Sequence, residues 1–208
     1  MDDQLRSTLE RSRDLGFLGP GDVGVQIAHA RAFVDAWDQF SATPPASLLD
    51  LGSGGGVPGL VLAASWRSSR VVLLDAGVRR CAFLREAVAE LGLEDRVTVE
   101  EGRAEVLARS APLESSVDLV VSRSFGPPAA VAECAVRYLR AQGVLLVAEP
   151  PDEAATIARW PEAGLATLGL GPAILTRAPR RIVRISRIGD LPDRFPRREG
   201  TPTKTPLF

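Results

Sequence analysis

The 208-residue sequence predicts an α/β fold: a mostly parallel, seven-stranded sheet flanked by helices, with a short helical extension at the N-terminus. Three observations carry this reading. From Ser47 onward, short apolar runs alternate with longer amphipathic segments, the pattern of βα units. A glycine-rich turn, Gly52-Ser-Gly-Gly-Gly56, follows the first of those runs directly. With 45% hydrophobic and 25% charged residues and a formal net charge of -1, the chain lies in the globular range and is long enough to bury a sizeable core. Two large independent domains are not expected at this length. No stretch approaches the roughly 18 to 20 apolar residues that span a bilayer, so no membrane partner is expected. The acidic start, Met1-Asp2-Asp3, lacks a secretory pattern and predicts a cytoplasmic protein.

Residues 1–40 read as helical, with Leu5, Leu9, Ile27, Phe33, Val34 and Trp37 at helical spacings, and the glycines and proline of 16–21 break them into two helices. Ser41-Ala-Thr-Pro-Pro45 stops the second helix. The extension therefore covers 1–45, the sheet domain 46–190 and a basic Pro/Arg-rich tail 191–208. Strands are expected near 47–51, 70–75, 96–100, 117–122 and 143–148, with two more near 166–170 and 181–186. The clearest helix runs from Arg79 to Leu91, where Phe83, Leu84, Val88 and Leu91 share one face. A further helix with an acidic start is expected from Asp152 to Arg159. The residues from Asp193 to Phe208, rich in Pro, Arg and Thr, read as an extended tail rather than a packed element.

Several chemistries are excluded by what is scarce. The two cysteines, Cys81 and Cys134, cannot form a disulfide framework and have no neighbour at a metal-ligand spacing; they read as buried small hydrophobes. The single histidine, His29, argues against a histidine-built zinc site or a Ser-His-Asp hydrolase and reads as a satisfied helix residue. No metal is expected. Charge is unevenly placed: residues 1–175 hold 16 Arg against 23 acids, net -7, whereas 176–208 hold 8 Arg and 1 Lys against 3 acids, net +6. A basic end on an acidic body suits contact with a polyanion, although a solvated basic edge would look the same.

The sharpest constellation is Leu48-Leu49-Asp50-Leu51-Gly52-Ser53-Gly54-Gly55-Gly56-Val57-Pro58-Gly59, a buried strand leading through glycines into a helix. Glycines let such a turn close tightly and come near a ligand, and Pro58 suits a first helical turn. Val57 stands where a dinucleotide fingerprint starting at Gly52 would need glycine, and no phosphate-loop Gly-Lys-Ser/Thr is present. Asp75 closes the second strand, where a carboxylate can accept both hydroxyls of a ribose. A merely flexible turn with Asp75 as a helix cap is the plainer alternative.

The Asp-x-Gly-x-Gly-x-Gly pattern with Asp75 resembles class I S-adenosylmethionine-dependent methyltransferases, which have a Rossmann-like fold. Asp50 to Gly59, Leu74-Asp75 with Arg79-Arg80-x-x-Phe83-Leu84-Arg85, Gly102-Arg103-Ala104-Glu105, Val121-Ser122-Arg123-Ser124-Phe125 and the ending Phe195 to Leu207 together resemble the RsmG (GidB) family. That family methylates guanine N7 in small-subunit ribosomal RNA. The resemblance implies S-adenosyl-L-methionine as cofactor, held by the turn from Asp50 through Gly52, Gly54 and Gly56 to Val57, by Asp75 at the ribose, and by Ala104-Glu105 beside the adenine. It places Arg123 near the methyl donor, touching cofactor and substrate, as the catalytic residue. Ribosomal RNA or the 30S subunit is the implied partner, gripped by Arg103, Arg194, Arg197, Arg198 and Lys204, and a monomer is expected. For Arg103 and Arg123 a structural ion pair is the alternative.

Guanine N7 carries a lone pair and no proton, so the absence of a conspicuous acid-base pair does not argue against such a reaction; alignment is what a protein must supply. The chain departs from the family in lacking its Asn-Leu-Thr motif, in having His29-Ala-Arg-Ala-Phe33 in place of His-Ile-Leu-Asp-Ser, and in having Glu149-Pro150 where Lys-Gly is usual. These changes fall where substrate would be recognised. A methyltransferase of the same fold acting on another RNA or a small molecule, or a cofactor-binding module without turnover, are the competing readings.

Overall fold

The computed structural model describes residues 2–110, 112–150 and 156–208. Two helices lead the chain, α1 (Asp2–Asp14) and α2 (Val23–Trp37). Asp22 starts α2 by accepting a hydrogen bond from the Val25 N–H at 3.0 Å, satisfying one of the free amides of the first turn. Val23, Ile27, Ala30, Phe33 and Trp37 then form its buried stripe.

The sheet units follow as β1 (Ser47–Leu51), α3 (Gly59–Ser65), β2 (Arg70–Asp75), α4 (Val78–Glu90), β3 (Val97–Glu101), α5 (Ala104–Leu107), β4 (Val117–Ser122), α6 (Pro128–Val136) and β5 (Leu139–Ala148). Helix α4 ends in a Schellman turn: Gly92, at φ 63°, donates to the Ala89 carbonyl and Leu93 donates to that of Val88. The chain closes with a 3₁₀ turn (Ile157–Arg159), α7 (Glu162–Ala166), β6 (Ile174–Leu175), β7 (Ile182–Ser186) and α8 (Thr201–Lys204).

Strand order is β3-β2-β1-β4-β5-β7-β6. The first five strands are parallel, and β7 and β6 add antiparallel at one edge. The expected mostly parallel seven-stranded sheet is therefore present. Because side chains alternate along a strand, each strand feeds two cores. Leu48, Leu73, Leu119, Val121 and Leu146 face the layer of α1 to α4, while Leu49, Leu51, Val120, Leu145 and Val183 face α5, α6, α7 and the C-terminal segment. Leu5, Leu9, Phe33 and Trp37 belong to the first of these cores, so the N-terminal helices pack as part of the sheet's own layer. Among the described residues no helix is long and apolar enough to cross a membrane.

The structure differs from expectation in several places. The strand expected near 166–170 is absent: the segment finishes α7 and turns at Gly169 (φ 71°), whose carbonyl accepts from Ile188 and Gly189, and Leu170 makes only an isolated bridge to Arg187. Pro161 and Glu162 set a helix start there, which outweighs the apolar run. The edge strand forms instead at Ile174–Leu175. Strand β5 begins at Leu139, before Gly143, because a bulge opposite Val117 to Leu119 and Gln142 at φ 64° absorb the extra residues.

The expected helix from Asp152 lies mostly outside the described residues; its end is the 3₁₀ turn at Ile157–Arg159. Most consequentially, the C-terminal segment is not an extended tail. Phe195 and Pro202 are buried, Arg137 donates to the Phe195 carbonyl at 2.6 Å and Arg109 to that of Pro196 at 2.9 Å. Arginines of the body thus satisfy the backbone carbonyls that a proline-rich strand cannot pair in a sheet.

Candidate active site

In parallel α/β sheets a crevice opens at the carboxyl ends of the strands where their order reverses. Here β1 and β4 lie side by side at that point, and a cleft of about 850 Å³ occupies it, within the size range of small-molecule sites. The turn after β1 forms its floor. Gly52 (φ 76°) and Gly54 (φ 54°) sit in the left-handed region, and a Cβ on Gly52 would lie 2.6 Å from the Phe125 ring. At Gly54 a Cβ would meet nothing closer than 3.8 Å, so this backbone faces open cleft that any side chain would fill.

Asp75 ends β2 opposite that turn and is almost fully buried. Its Oδ2 accepts from the Gly54 N–H at 2.9 Å; its Oδ1 accepts from the Gly77 N–H at 2.7 Å and from the Arg80 guanidinium at 2.7 and 2.8 Å. Oδ1 is thus saturated and Oδ2 keeps an acceptor site. The expectation of a carboxylate open to two hydroxyls is narrowed: one oxygen is open, and the other opens only if the half-exposed Arg80 lets go.

Asp50 lies beneath the cleft rather than in it. It is fully buried, its Oδ2 accepts from the Gly59 N–H at 2.9 Å, and its Oδ1 has no hydrogen-bond partner. Burial pushes its pKa up to about 7, against the lowering effects of the Gly59 and Ser53 hydrogen bonds and of Arg123. Gly56 also packs below the surface, against Leu60 and Leu84. Gly52, Ser53, Gly54, Gly55 and Val57 line the cleft directly.

Arg123, just past β4, lines the opposite wall and donates to Gln26 Oε1 of α2 at 2.6 Å. One of its five N–H donors is thereby used, and the planar fork is held in orientation. His29, one turn along α2, also lines the cleft, and its Nε2 is buried without a hydrogen-bond partner. This corrects the expectation of a satisfied helix histidine. Burial, then the positive charges of Arg180 and Arg123, push its pKa down, favouring the neutral ring.

Ala104 and Glu105 close the cleft on the β3 side. The Tyr138 hydroxyl donates to the Ala104 carbonyl at 2.6 Å, and Glu105 Oε1 accepts from the Gly200 N–H at 2.7 Å. The C-terminal segment therefore reaches the cleft wall. Arg103 also lines the cleft and makes an exposed ion pair with Glu199 at 3.4 Å. The side chain of Glu149, whose charge departs from the family pattern, is buried, paired with Arg159, and accepts a hydrogen bond from the Trp160 indole N–H at 3.0 Å. Gln26, Phe17, Arg159 and Trp160 line the cleft without any signal in the sequence, since each arrives from a distant helix or turn.

The four basic residues of the C-terminal segment separate. Arg197 is not available as a phosphate ligand: its Nε and Nη2 donate to both carboxylate oxygens of Glu133, at 2.9 and 2.7 Å, and its own N–H donates to Oε1 at 2.7 Å. Glu133 is completely buried, so this cation is bound to the interior. Arg194 stacks 4.9 Å from the Phe195 ring centroid, while Arg198 and Lys204 are exposed. Cys81 and Cys134 are buried, free thiols, as expected.

Sheet order, switch-point cleft and glycine floor together define the class I methyltransferase fold. Solved structures agree on the fold. An O-methyltransferase from Bacillus cereus in complex with SAH superposes with a TM-score of 0.62 at 17% identity over 89% of this chain and 91% of that one. A methyltransferase from Geobacter sulfurreducens gives 0.59 at 16% identity over 91% and 90%.

A family model described as rRNA small subunit methyltransferase G matches residues 27–159, and the chain belongs to that family. Ribosomal RNA small subunit methyltransferase G of Prochlorococcus marinus is 32% identical over 76% of this chain and 66% of its own length. That of Deinococcus radiodurans is 37% identical over 77% and 65%, so the matches span just under two thirds of these two relatives. The protein of that name from Pelotomaculum thermopropionicum is 31% identical over 96% of this chain and 86% of its own.

Proposed function

We propose that this protein transfers a methyl group from S-adenosylmethionine to N7 of a guanine in small-subunit ribosomal RNA, acting in the cytoplasm. The observation that carries the reading is the switch-point cleft whose glycine floor faces the buried Asp75 across a hydrogen bond at Gly54. Family membership supports the choice of cofactor and RNA.

The residues fit the cofactor. Gly54 leaves the space a Cβ would fill, Asp75 Oδ2 has an acceptor site for a ribose hydroxyl, and Ala104-Glu105 offer a wall held from behind by Tyr138 and Gly200. S-adenosylmethionine, when bound, supplies an electrophilic methyl group on a sulfonium sulfur.

The chain's own part is alignment and exclusion of water. Guanine N7 needs no base, so the residues beside the cleft have to orient it. Arg123, braced by Gln26, keeps donors free for guanine O6 or a phosphate oxygen, the acceptors its forked geometry suits. Holding two reactants in a near-attack geometry lowers a barrier by roughly 7 to 11 kcal/mol. His29 beside Arg123 has its pKa pushed down by burial and by the charges of Arg180 and Arg123, which favours the neutral ring.

The test is methyl transfer from labelled S-adenosylmethionine to small ribosomal subunits, or their RNA, lacking the modification. Label at a guanine N7, lost in Asp75→Ala, is expected. Cofactor binding with no transfer to either substrate would select the binding-module reading, and transfer only to other RNAs or small molecules the broader methyltransferase reading.

A further inference from the structure

The family's chemistry calls for a surface that holds an RNA backbone beside the cleft, and the C-terminal segment supplies less of it than its charge suggests, because Arg197 is locked to Glu133. The remaining basic cluster lies in the β6–β7 connection, Thr176-Arg177-Ala178-Pro179-Arg180-Arg181. We propose that this connection is the phosphate-gripping edge of the RNA site, with Arg177 and Arg180 as the contacts.

Three observations place it. The loop is held rather than loose: the Thr176 N–H donates to the Ile182 carbonyl at 2.9 Å, and the Arg177 N–H donates to Gln39 Oε1, just past α2, at 2.8 Å. Pro179 restricts the backbone between the two arginines. The loop thus lies along α2, the helix that also carries Gln26 and His29 into the cleft, and Arg180 is close enough to His29 for its charge to be felt there.

Both arginines are exposed, and among the described residues neither makes a salt bridge or a hydrogen bond from its guanidinium. Asp35 and Asp38 are exposed on the same helix and at its end, and among the described residues neither forms a salt bridge with these arginines. Arg184, within β7, by contrast stacks on the Phe40 ring at 4.4 Å and donates to Ser186 Oγ at 3.1 Å. Two unpaired forked donors on a braced loop beside a guanidinium-lined cleft fit the spaced oxyanions of a nucleic-acid backbone, which Arg binds in bidentate fashion. An acidic protein would offer the same sign of charge, without the same forked oxygens at regular spacing.

The inference rests on the proposed RNA reading, and its test separates the two. Binding of transcribed small-subunit ribosomal RNA is measured against salt for the wild type, for Arg177→Ala/Arg180→Ala, and for Arg67→Ala/Arg70→Ala. The last pair removes equal charge from the opposite, amino-terminal end of β2.

The β6–β7 variant is expected to lose about tenfold in affinity near physiological salt, and its slope of log K against log salt to shrink by about 1.4, two contacts at roughly 0.7 each. S-adenosylmethionine affinity should stay unchanged in both variants. An unchanged slope, or an equal loss in the Arg67/Arg70 control, overturns the inference while leaving the enzyme's RNA substrate intact. Polyglutamate competing as well as RNA at equal charge also overturns it, in favour of an acidic protein partner. A wild type that neither binds nor methylates the RNA overturns the functional reading and this one with it.

Discussion

Replacing Arg197 by alanine tests whether the C-terminal segment is part of the folded body. The Glu133 carboxylate in α6 has no exposed surface, and Arg197 donates to it both from the guanidinium and from the backbone N–H. The alanine variant keeps the backbone donor and leaves a buried carboxylate otherwise uncompensated. Breaking a buried pair in this way costs about 3 to 5 kcal/mol. For a chain of this length each kcal/mol moves Tm by roughly 2 to 4 °C, so a drop of about 6 to 20 °C is expected.

Urea unfolding followed by circular dichroism measures the change as a shifted midpoint. A double variant, Glu133→Gln/Arg197→Met, removes both charges while the amide oxygen keeps an acceptor for the residue-197 N–H, and it should recover most of the loss by avoiding the desolvation penalty. Because Gly200 donates to Glu105 on the cleft wall, the single variant should also weaken S-adenosylmethionine binding several-fold. A loss under about 1 kcal/mol for Arg197→Ala, with native cofactor affinity, would refute the argument that this segment is docked by its buried ion pair.

Three further outcomes are expected. Gly54→Ala strains a φ of 54° by about 1 to 2 kcal/mol yet meets no atom closer than 3.8 Å; calorimetry should find cofactor binding abolished in a protein that still unfolds cooperatively. Asp50 holds its proton in the folded state up to about pH 7 but releases it near pH 4 when unfolded, so between those values the folded state binds more protons and stability falls as pH rises. That loss is at most about 4 kcal/mol, and Asp50→Asn, which keeps an acceptor for Gly59, should flatten the pH-stability curve over that window. Cys81 and Cys134 are buried with thiol pKa values pushed up by burial, so a thiol reagent at pH 8 should label neither until the protein is unfolded.

The α/β class is legible without any knowledge of the fold. A parallel sheet buried on both faces leaves continuous apolar runs in its strands, and Leu48-Leu49 and Leu119-Val120-Val121 can be read as such without a partner strand. The glycine turn and Asp75 are legible for the same reason, since their placement follows from backbone geometry local to one βα unit. The edge of the sheet is less so. Ala166 to Leu170 is apolar enough for a strand, but Pro161 and Gly169 set a helix and a turn there.

Which charges are free is a matter of packing. In sequence, Arg197 and Arg180 are equivalent cations in one basic stretch, yet one faces a buried glutamate 64 positions away and the other faces solvent beside α2. The same holds for Asp50 and Asp75, one motif apart in the chain: the first is buried under the floor and braces α3, the second meets the cleft. Helical and strand periodicity report which face is apolar. What a charged side chain meets across a sequence separation of tens of residues depends on how the layers stack, and that carries no local signature.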